Sequence, residues 1–388
     1  MKVAIVHYWL VGMRGGEKVL DSLCDLYPDA DIFTHVFRPG EVSETIRRHS
    51  VRTTFIDRLP FAHRHYQKYL PLMPLALEQL DLGRYDLVIS SESGPAKGVL
   101  TRPDALHVCY CHTPMRYLWT AYHEYLASAG PLIRPVMPYL THRLRLWDIA
   151  TAGRVDHFIA NSANVARRIW RVYRREATVI HPPVEVSRFI NGQLPGDAYL
   201  FVSQLVPYKR ADIVIEAFNR LGKPLVVVGD GSDFQRLRLL AGPTVRMVGR
   251  CSAEDLARHY AACRALVFSA DEDFGIVPVE AMAAGRPVLA LRRGGATETV
   301  VDGVTGLFFD DQTVEAVIDA VNRFEERQAT FHADVILAHA SRFDRSVFEE
   351  RIRSTIEGWM ETRAGAGPLP RTGSPRHAAD RELADGMA

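Results

Sequence analysis

The stretch SADEDFGIVPVEAMAAGRPVLA, residues 269–290, decides the fold of this chain. It joins one apolar run, at 265–270, to another, at 287–291, through an acidic loop and a short apolar helix. This order of elements is typical of a parallel sheet that is covered by helices. Because ligands bind outside the carboxyl ends of such strands, we expect the loop and the start of the helix to line a site.

The same alternation of short apolar runs and helical segments extends in both directions from this stretch. The runs form two series, at 3–9, 31–37, 86–90, 107–112, 157–162 and 178–183, and at 198–204, 224–231, 245–250, 265–270, 287–291 and 306–310. Two series predict two doubly wound α/β domains, which is a sensible division for 388 residues. Two such domains imply a cleft between them.

The segment HPPVEVSRFINGQLPGD, at 181–197, separates the two series and has the composition of an interdomain connection. We therefore expect one domain over 1–185 and a second over 186–345. A helix over 346–363 is expected to dock back on the first domain through Val347, Ile352, Ile356 and Met360. Residues 364–388 have too little apolar content to pack and are expected to be disordered.

Composition excludes some classes of protein. With 47 Lys and Arg against 46 Asp and Glu, the chain lacks the basic excess of a nucleic-acid-binding protein. No apolar run approaches the roughly 20 residues that span a bilayer. The cysteines are odd in number, scattered and without a secretory signal pattern, so we expect reduced packing residues in a cytoplasmic protein, namely Cys24, Cys109, Cys111, Cys251 and Cys263.

The acidic loop contributes Glu272, and the helix that follows contributes Glu280. A carboxylate accepts two hydrogen bonds from a diol, so Glu272 suits sugar hydroxyls and Glu280 suits a ribose. The alternative is that both acids are solvated and bind nothing, but Glu280 lies within a small apolar helix. Further on, Gly294 and Gly295 form another turn ahead of Glu298.

Three sites in the first series also fall at strand ends. Gly15 and Gly16 precede a helix, where they allow close backbone approach to an anion or a sugar, or simply form a tight turn. His112 follows a strand and can donate a hydrogen bond to a hydroxyl or phosphate while neutral. Arg116 follows one turn later and is a candidate for contact with an acceptor.

In the second series, Lys209 and Arg210 immediately precede an amphipathic helix. The helix macrodipole disfavours two cations at that end. A bound diphosphate would remove the conflict, and a solvated basic turn is the alternative.

Together these segments resemble the retaining GT-B glycosyltransferases of family 4. The segment EDFGIVPVEAMAAGRPVLA, at 272–290, resembles the E-x7-E block of that family. Other matching segments follow in order, namely GGEKVL at 15–20, HFIANSANVARRI at 157–169, VIHPPVEVSRF at 179–189, VPYKR at 206–210 and GGATETVVDGVTGLFF at 294–309. More narrowly, HYWLVGMRGGEKVL, YCHTPMRYLW and LVPYKR resemble bacterial polysaccharide and O-antigen mannosyltransferases.

The resemblance implies two Rossmann-like domains facing a cleft, and it implies roles for the candidate residues. Gly15 and Gly16 would lie by the phosphates and acceptor, His112 by the donor sugar, Lys209 on the diphosphate and Glu280 on the ribose. Glu272 would hold sugar hydroxyls with help from the amides of Phe274, Gly275, Ile276 and Val277. The family often places an arginine five residues before the lysine, where this chain has Gln204, and Arg210 or another cation would then have to substitute.

The implied activity is retaining transfer of a sugar, with mannose from GDP-mannose as first choice, to a lipid-linked or saccharide acceptor in cell-surface polysaccharide biosynthesis. A UDP-sugar-dependent transferase, a GT-B nucleotide-sugar epimerase and a binding protein with a degraded site remain open. We expect no cofactor and no metal. The D-x-D spacing at Asp271 and Asp273 lies inside the E-x7-E loop, and the one at Asp29 and Asp31 merely precedes a strand.

Basic and apolar residues mix at 131–154, with Arg143, Arg145 and Arg154 among Leu144, Leu146 and Trp147. The segment at 47–70 is basic too. Such stretches can hold a protein at the inner, anionic face of a membrane near a lipid-linked acceptor, and an ordinary solvated helix is the open alternative.

Overall fold

The computed structural model describes residues 1–190 and 195–365, which form two parallel β-sheets. The first sheet comprises β1 Val3–His7, β2 Asp31–Thr34, β3 Val51–Thr53, β4 Leu87–Glu92, β5 Leu106–Cys111, β6 His157–Ala160 and β7 Ala177–Val179, in the order β3-β2-β1-β4-β5-β6-β7. The second comprises β8 Tyr199–Val202, β9 Leu225–Val228, β10 Val245–Gly249, β11 Leu266–Phe268, β12 Val288–Leu291 and β13 Gly306–Phe309, in the order β10-β9-β8-β11-β12-β13.

The helices connect and cover these strands. They are α1 Gly15–Leu26, α2 Glu44–Arg47, α3 Ala62–His65, α4 Met73–Glu78, α5 Tyr122–Ser128, α6 Met137–Ala152, α7 Ala163–Tyr173, α8 Ala211–Leu221, α9 Phe234–Leu240, α10 Ala253–Ala262, α11 Ile276–Ala283, α12 Ala296–Thr299, α13 Val314–Arg327, α14 Ala333–Ala340 and α15 Arg345–Gly365. The predicted α/β fold with two doubly wound domains is confirmed.

Each sheet is buried on both faces because its side chains alternate between two apolar clusters. In β8, Phe201 packs in one cluster and Leu200 in the other. This two-sided burial explains why the strands appear in the sequence as continuous apolar runs. The exception is β3, whose sequence Val-Arg-Thr is too short and polar to form such a run, and the sequence reading missed it.

The C-terminal helix α15 packs on the first domain. Phe348, Ile352 and Ile356 are buried in the same cluster as β1 and α1. The apolar spacing predicts Val347 for this contact, but Val347 is 37% exposed while Phe348 is 2% exposed. The buried positions recur every four residues, which places Val347 outside the buried stripe.

The chain passes from one domain to the other twice, and the two crossing segments are hydrogen-bonded to each other. The Val184 N–H donates to the Phe343 carbonyl at 3.0 Å, and the Arg345 N–H donates to the Val184 carbonyl at 3.0 Å. Residues 366–388, which hold nearly all of the predicted disordered tail, lie outside the described residues. Among the helices that the structure describes, none is both long and apolar enough to cross a membrane.

Candidate active site

A cavity of about 340 Å³ lies where the carboxyl ends of the two sheets face each other. Its size falls within the range of small-molecule sites. The first domain lines it with Tyr8, Gly15, Gly16, Ser93, His112, Thr113, Arg116, Asn161 and Pro182, and the second with Ser203, Gln204, Tyr208, Lys209, Glu272, Asp273, Phe274, Gly275, Ile276 and Val277. The fold thus brings eleven of the candidate residues to one cavity, and leaves Arg210 and Glu280 outside its lining.

The paired glycines begin α1 next to the start of α11 in the other domain. A Cβ on Gly16 would lie 2.2 Å from the Tyr8 hydroxyl oxygen, and one on Gly15 would lie 3.1 Å from Ile276 Cδ1 of the other domain. A side chain at Gly16 would therefore displace Tyr8. Both glycines leave backbone amides of the first helical turn open to the cavity.

His112 is held at the end of β5 by its neighbours. Its backbone N–H donates to the Glu92 carbonyl at 2.8 Å, and its Nε2 lies 2.9 Å from Ser91 Oγ. Burial, together with the nearby His7 ring, lowers the pKa of His112 to about 3. The imidazole is therefore neutral across the physiological range.

Lys209 and Glu272 face each other across the second-domain side of the cavity. The Lys209 ammonium contacts the Glu272 carboxylate, and the Ser269 hydroxyl donates to the Lys209 carbonyl at 2.9 Å. Burial, then the Arg116 guanidinium, lowers the pKa of Lys209 to about 7, and the Asp273 carboxylate opposes that shift. The contact with Glu272 opposes it too, because a carboxylate favours the charged lysine.

The loop that carries Glu272 is shaped by three glycines. Gly275 adopts φ 85°, a left-handed conformation that suits glycine, and precedes α11, whose first residues Ile276 and Val277 line the cavity. A Cβ on Gly294 would meet the Glu272 carbonyl oxygen at 2.2 Å, and the Gly295 N–H donates to that oxygen at 2.8 Å. The turn at Gly294 and Gly295 therefore packs against the backbone of the loop that carries Glu272.

Glu280 is buried in α11, 5% exposed, with partners for both carboxylate oxygens. Lys18, from α1 of the first domain, donates to Oε1 at 2.8 Å, and the Tyr260 hydroxyl donates to Oε2 at 2.9 Å. A ribose at Glu280 would therefore have to displace Lys18.

The two arginine candidates differ in position. Arg210 adopts φ 54°, and its guanidinium is paired with Asp212 at 3.0 Å rather than directed at the cavity. Arg116 lines the cavity, 3.9 Å from Asp273. Arg116 is thus the second cation on the cavity wall, beside Lys209.

The sequence reading missed several lining residues, notably Tyr8 and Asn161. Asn161 Nδ2 donates to the His112 carbonyl at 2.9 Å and so ties β6 to the site. Both residues lie at the ends of apolar runs, where the same strand-end rule that selected His112 could have found them.

One acid of each D-x-D spacing forms an ion pair. Asp273 pairs with Arg168, and Asp31 pairs with Arg84 at 2.5 Å. Within residues 1–190 and 195–365, no three His, Cys, Asp or Glu side chains are grouped as a metal site would require.

Two parallel α/β domains that face each other across such a cavity define the GT-B class. Residues 13–188 match the model of the Glycosyltransferase Family 4 domain, and residues 187–338 match Glycosyl transferases group 1. The chain therefore belongs to the family 4 glycosyltransferases of GT-B fold.

Curated relatives match parts of the chain. It is 30% identical over 250 residues to a D-inositol 3-phosphate glycosyltransferase of Nocardioides sp., covering 54% of each protein. It is 38% identical over 153 residues to a GDP-mannose-dependent phosphatidylinositol monomannoside mannosyltransferase of Mycobacterium tuberculosis, covering 35% of this chain and 39% of that one. The aligned region thus spans about half, or less, of these relatives.

Solved structures agree over nearly the whole chain. Anabaena HepE in complex with UDP superposes with a TM-score of 0.67 at 18% identity, covering 92% of this chain and all of HepE, 100%. WaaG, a glycosyltransferase involved in lipopolysaccharide biosynthesis, gives a TM-score of 0.66 at 18% identity, covering 92% and 100%. At this level of identity the likeness supports the fold.

Proposed function

We propose that this protein is a metal-independent, retaining glycosyltransferase that moves a sugar from a nucleotide-diphosphate donor to an acceptor. The observation that carries the proposal is the contact of Lys209 with Glu272 between the glycine turn of α1 and the start of α11. A diphosphate needs the cation, a sugar diol needs the carboxylate, and a linked diphosphate and sugar would take both at once.

In this proposal, positive charge beside the leaving diphosphate lowers the barrier to reaction. As the bond from the anomeric carbon to the phosphate oxygen stretches, Lys209 and the first amides of α11 stabilise the charge that develops on the diphosphate. Arg116 supplies the second cation that Gln204 lacks, because Arg210 is committed to Asp212. These groups also support metal independence.

Retention follows from attack on the face that the diphosphate leaves. The acceptor oxygen bonds to the anomeric carbon, and its proton passes to the leaving phosphate oxygen on the same face. No side-chain nucleophile takes part. Glu272 holds donor-sugar hydroxyls and Glu280 holds the ribose once Lys18 moves away.

GDP-mannose is the proposed donor, and a polysaccharide precursor on a lipid or a saccharide is the proposed acceptor. The GDP-mannose-dependent relative from Mycobacterium tuberculosis supports the donor. A UDP-sugar is the second candidate, because Anabaena HepE has been solved with UDP-glucose.

A donor screen with EDTA present tests the proposal. Release of nucleoside diphosphate and retained-anomer product is followed for GDP- and UDP-sugars. Glu272→Ala is expected to lower turnover about 100-fold or more, as loss of a transition-state contact does. Glu326→Ala, an exposed acid on α13, serves as the control. Sugar conversion without diphosphate release would favour an epimerase, and no binding of any nucleotide sugar would overturn the proposal.

We also propose peripheral membrane contact, in the cytoplasm, through the segment before and along α6. Many of its exposed side chains are apolar, with Leu132 89% exposed, accompanied by Ile133, Val136, Tyr139, Leu146 and Ile149, and Arg134 is exposed among them. Arg143 is exposed on the same helix, whereas Arg145 donates to the Leu118 carbonyl at 2.6 Å and Arg154 pairs with Glu78 at 2.8 Å. An apolar surface edged by a cation is suited to anionic lipid.

Vesicle sedimentation tests the membrane contact. Binding to vesicles of anionic phospholipid is expected to fall when Leu132 and Ile133 become serine, and to fall less for Arg143→Glu alone. Leu239→Ser, an exposed leucine on the second domain, is the control. Equal binding by all variants, or no binding by the wild type, would contradict the proposed membrane contact.

A further inference from the structure

Behind the cavity, three adjacent strands bring together side chains that the proposed reaction does not use. His7 ends β1 and pairs in register with Ser91 of β4, and β4 is flanked by β5, which leads into His112. Ser91 Oγ lies 3.1 Å from His7 Nδ1 and 2.9 Å from His112 Nε2. A single hydroxyl thus joins the two imidazoles.

The carboxylate of Glu17 lies next to His7, near the ring nitrogen that does not contact Ser91. Glu17, in the first turn of α1, places Oε1 3.7 Å from His7 Nε2, and its Oε2 accepts a hydrogen bond from the Arg14 N–H at 2.9 Å. Glu17 is 2% exposed and His7 1% exposed. His7 Nε2 has no hydrogen-bond partner within the described part of the chain.

We propose that Glu17, His7 and Ser91 fix the tautomer of His112. The carboxylate of Glu17 is the negative group that faces His7 Nε2, and it favours a proton on that nitrogen. In the neutral ring of His7, Nδ1 then carries a lone pair, so the Ser91 hydroxyl donates to it. The oxygen of Ser91 must in turn accept from His112, which places the single ring proton of His112 on Nε2.

The consequence is that His112 Nδ1 carries a lone pair. This nitrogen has no hydrogen-bond partner among residues 1–190 and 195–365, and His112 lines the cavity. A lone pair accepts from a hydroxyl and is repelled by an anionic phosphate oxygen. His112 therefore recognises a hydroxyl of the donor sugar and accepts its proton in a hydrogen bond, rather than donating to it. This assignment of a ligand group rests on the proposed function.

Glu17, His7 and Ser91 are positioning residues in this arrangement, because they act only through the ring of His112. Their role resembles that of the outer partners that orient histidines in metal sites. No proton is transferred to the substrate. The hydrogen bonds only determine that Nδ1 of His112 carries no proton.

The test reads the tautomer directly. The protein is labelled with 15N-histidine, and long-range 1H–15N spectra identify the protonated nitrogen of each ring. The His112 signals are assigned by their loss in His112→Gln. The wild type is expected to show a protonated Nε2 and a bare Nδ1. Glu17→Gln and Ser91→Ala are expected to move part or all of the proton to Nδ1.

Matched controls separate this effect from loss of structure. Ser22→Ala removes another buried hydroxyl, on α1, and Asp21→Asn neutralises an acid one turn beyond Glu17 that pairs with Arg345. Both are expected to leave the His112 tautomer unchanged. A wild-type ring protonated on Nδ1, or a tautomer that stays the same in Glu17→Gln and Ser91→Ala, would overturn the proposal.

Kinetics separate this inference from the proposed function. With a nucleotide sugar that turns over, Ser91→Ala is expected to lower kcat about tenfold, in line with the loss of other outer partners of functional histidines. The tautomer can be read without any substrate. If the spectra show the expected tautomer and no nucleotide sugar is bound, the proposed function fails while the positioning network stands.

Discussion

At the scale of single residues, the charged side chains of the site pair with one another. The Lys209 ammonium contacts the Glu272 carboxylate, and the Glu280 carboxylate contacts the Lys18 ammonium. Each carboxylate assigned to a hydroxyl group is thus paired with a lysine, Glu272 with one of its own domain and Glu280 with one of the first domain. Binding in the proposed mode is an exchange of partners, in which a diphosphate takes Lys209 and hydroxyl groups take the two acids.

The pKa of Lys209 makes this exchange depend on pH. Because burial lowers that pKa to about 7, and a bound diphosphate would raise it, binding takes up a proton above pH 7. Affinity for a nucleotide sugar, whose diphosphate keeps its charge over this range, should be highest at or below pH 7. It should weaken by up to about tenfold per pH unit above it.

Titration calorimetry between pH 6 and 9 measures this dependence. Lys209→Arg is the matched variant, because arginine stays charged over the whole range, and its affinity should be flat. Equal slopes for the wild type and Lys209→Arg would show that another group titrates.

At the scale of elements, helix α7 begins at the interface between the domains. Ser162 caps it within the first domain by accepting from the Val165 N–H at 3.1 Å. Glu298, from α12 of the second domain, accepts from the Ala163 and Asn164 N–H groups at 2.7 and 2.8 Å. One helix N-terminus is therefore capped partly by the other domain, which favours the observed arrangement of the two.

Glu298→Ala removes that second cap. The free energy of unfolding is expected to fall by about 1 kcal/mol, the usual loss for a capping side chain. Urea denaturation followed by circular dichroism measures it. Glu326→Ala, on the exposed face of α13, should change the same quantity by less than about 0.5 kcal/mol. A loss no larger than that of the control would mean that the two amides are solvated equally well by water.

At the scale of the whole molecule, the two domains are joined by the paired crossings at Val184 and Asp344, by α15 and by contacts across the cleft. Helix α15 carries the chain from the second domain back onto the core of the first. Lys18 and Glu280 pair across the same cleft next to the cavity. Substrate binding in the proposed mode would break one of these contacts.

Truncation of a buried side chain in α15 tests how much the packing of this helix contributes to the free energy of unfolding. Ile352→Ala is expected to lower the free energy of unfolding by about 2–5 kcal/mol, the usual range for a buried branched side chain. Val347→Ala, on the same helix but 37% exposed, should change it by less than about 0.5 kcal/mol. Equal effects of the two substitutions would contradict the assigned helix phase. Denaturant unfolding, recorded by fluorescence and circular dichroism together, provides the comparison.

Lys18 competes with a ribose for Glu280 in the proposed mode. Because the lysine is 42% exposed, solvent screens the pair, and a contribution of about 1 kcal/mol corresponds to an effect of about fivefold. Lys18→Met should therefore tighten nucleotide binding by about two- to fivefold, measured by calorimetry, while Lys18→Arg should leave it near the wild-type value. Weaker binding by Lys18→Met would instead make Lys18 a ligand of the nucleotide.

The sequence by itself determined the fold class, because strands buried on both faces must be apolar throughout and cannot be confused with surface segments. Strand ends and helix starts also predicted part of the cavity lining, and the resemblance to family 4 added Gln204 and the individual residues from Phe274 to Val277. The sequence missed β3, which is too short to leave an apolar signal, and it chose Val347 over Phe348, because one helix with several apolar residues does not reveal its own phase.

Only the tertiary structure decided which charges meet. Lys18 and Glu280 are separated by 262 positions in the chain, and no local pattern links them. The same holds for Glu298 with the start of α7, and for the row from Glu17 through His7 and Ser91 to His112. Periodicity and spacing report on the neighbours of a residue along its own element, whereas these contacts depend on which strands lie side by side and on how the two domains approach each other.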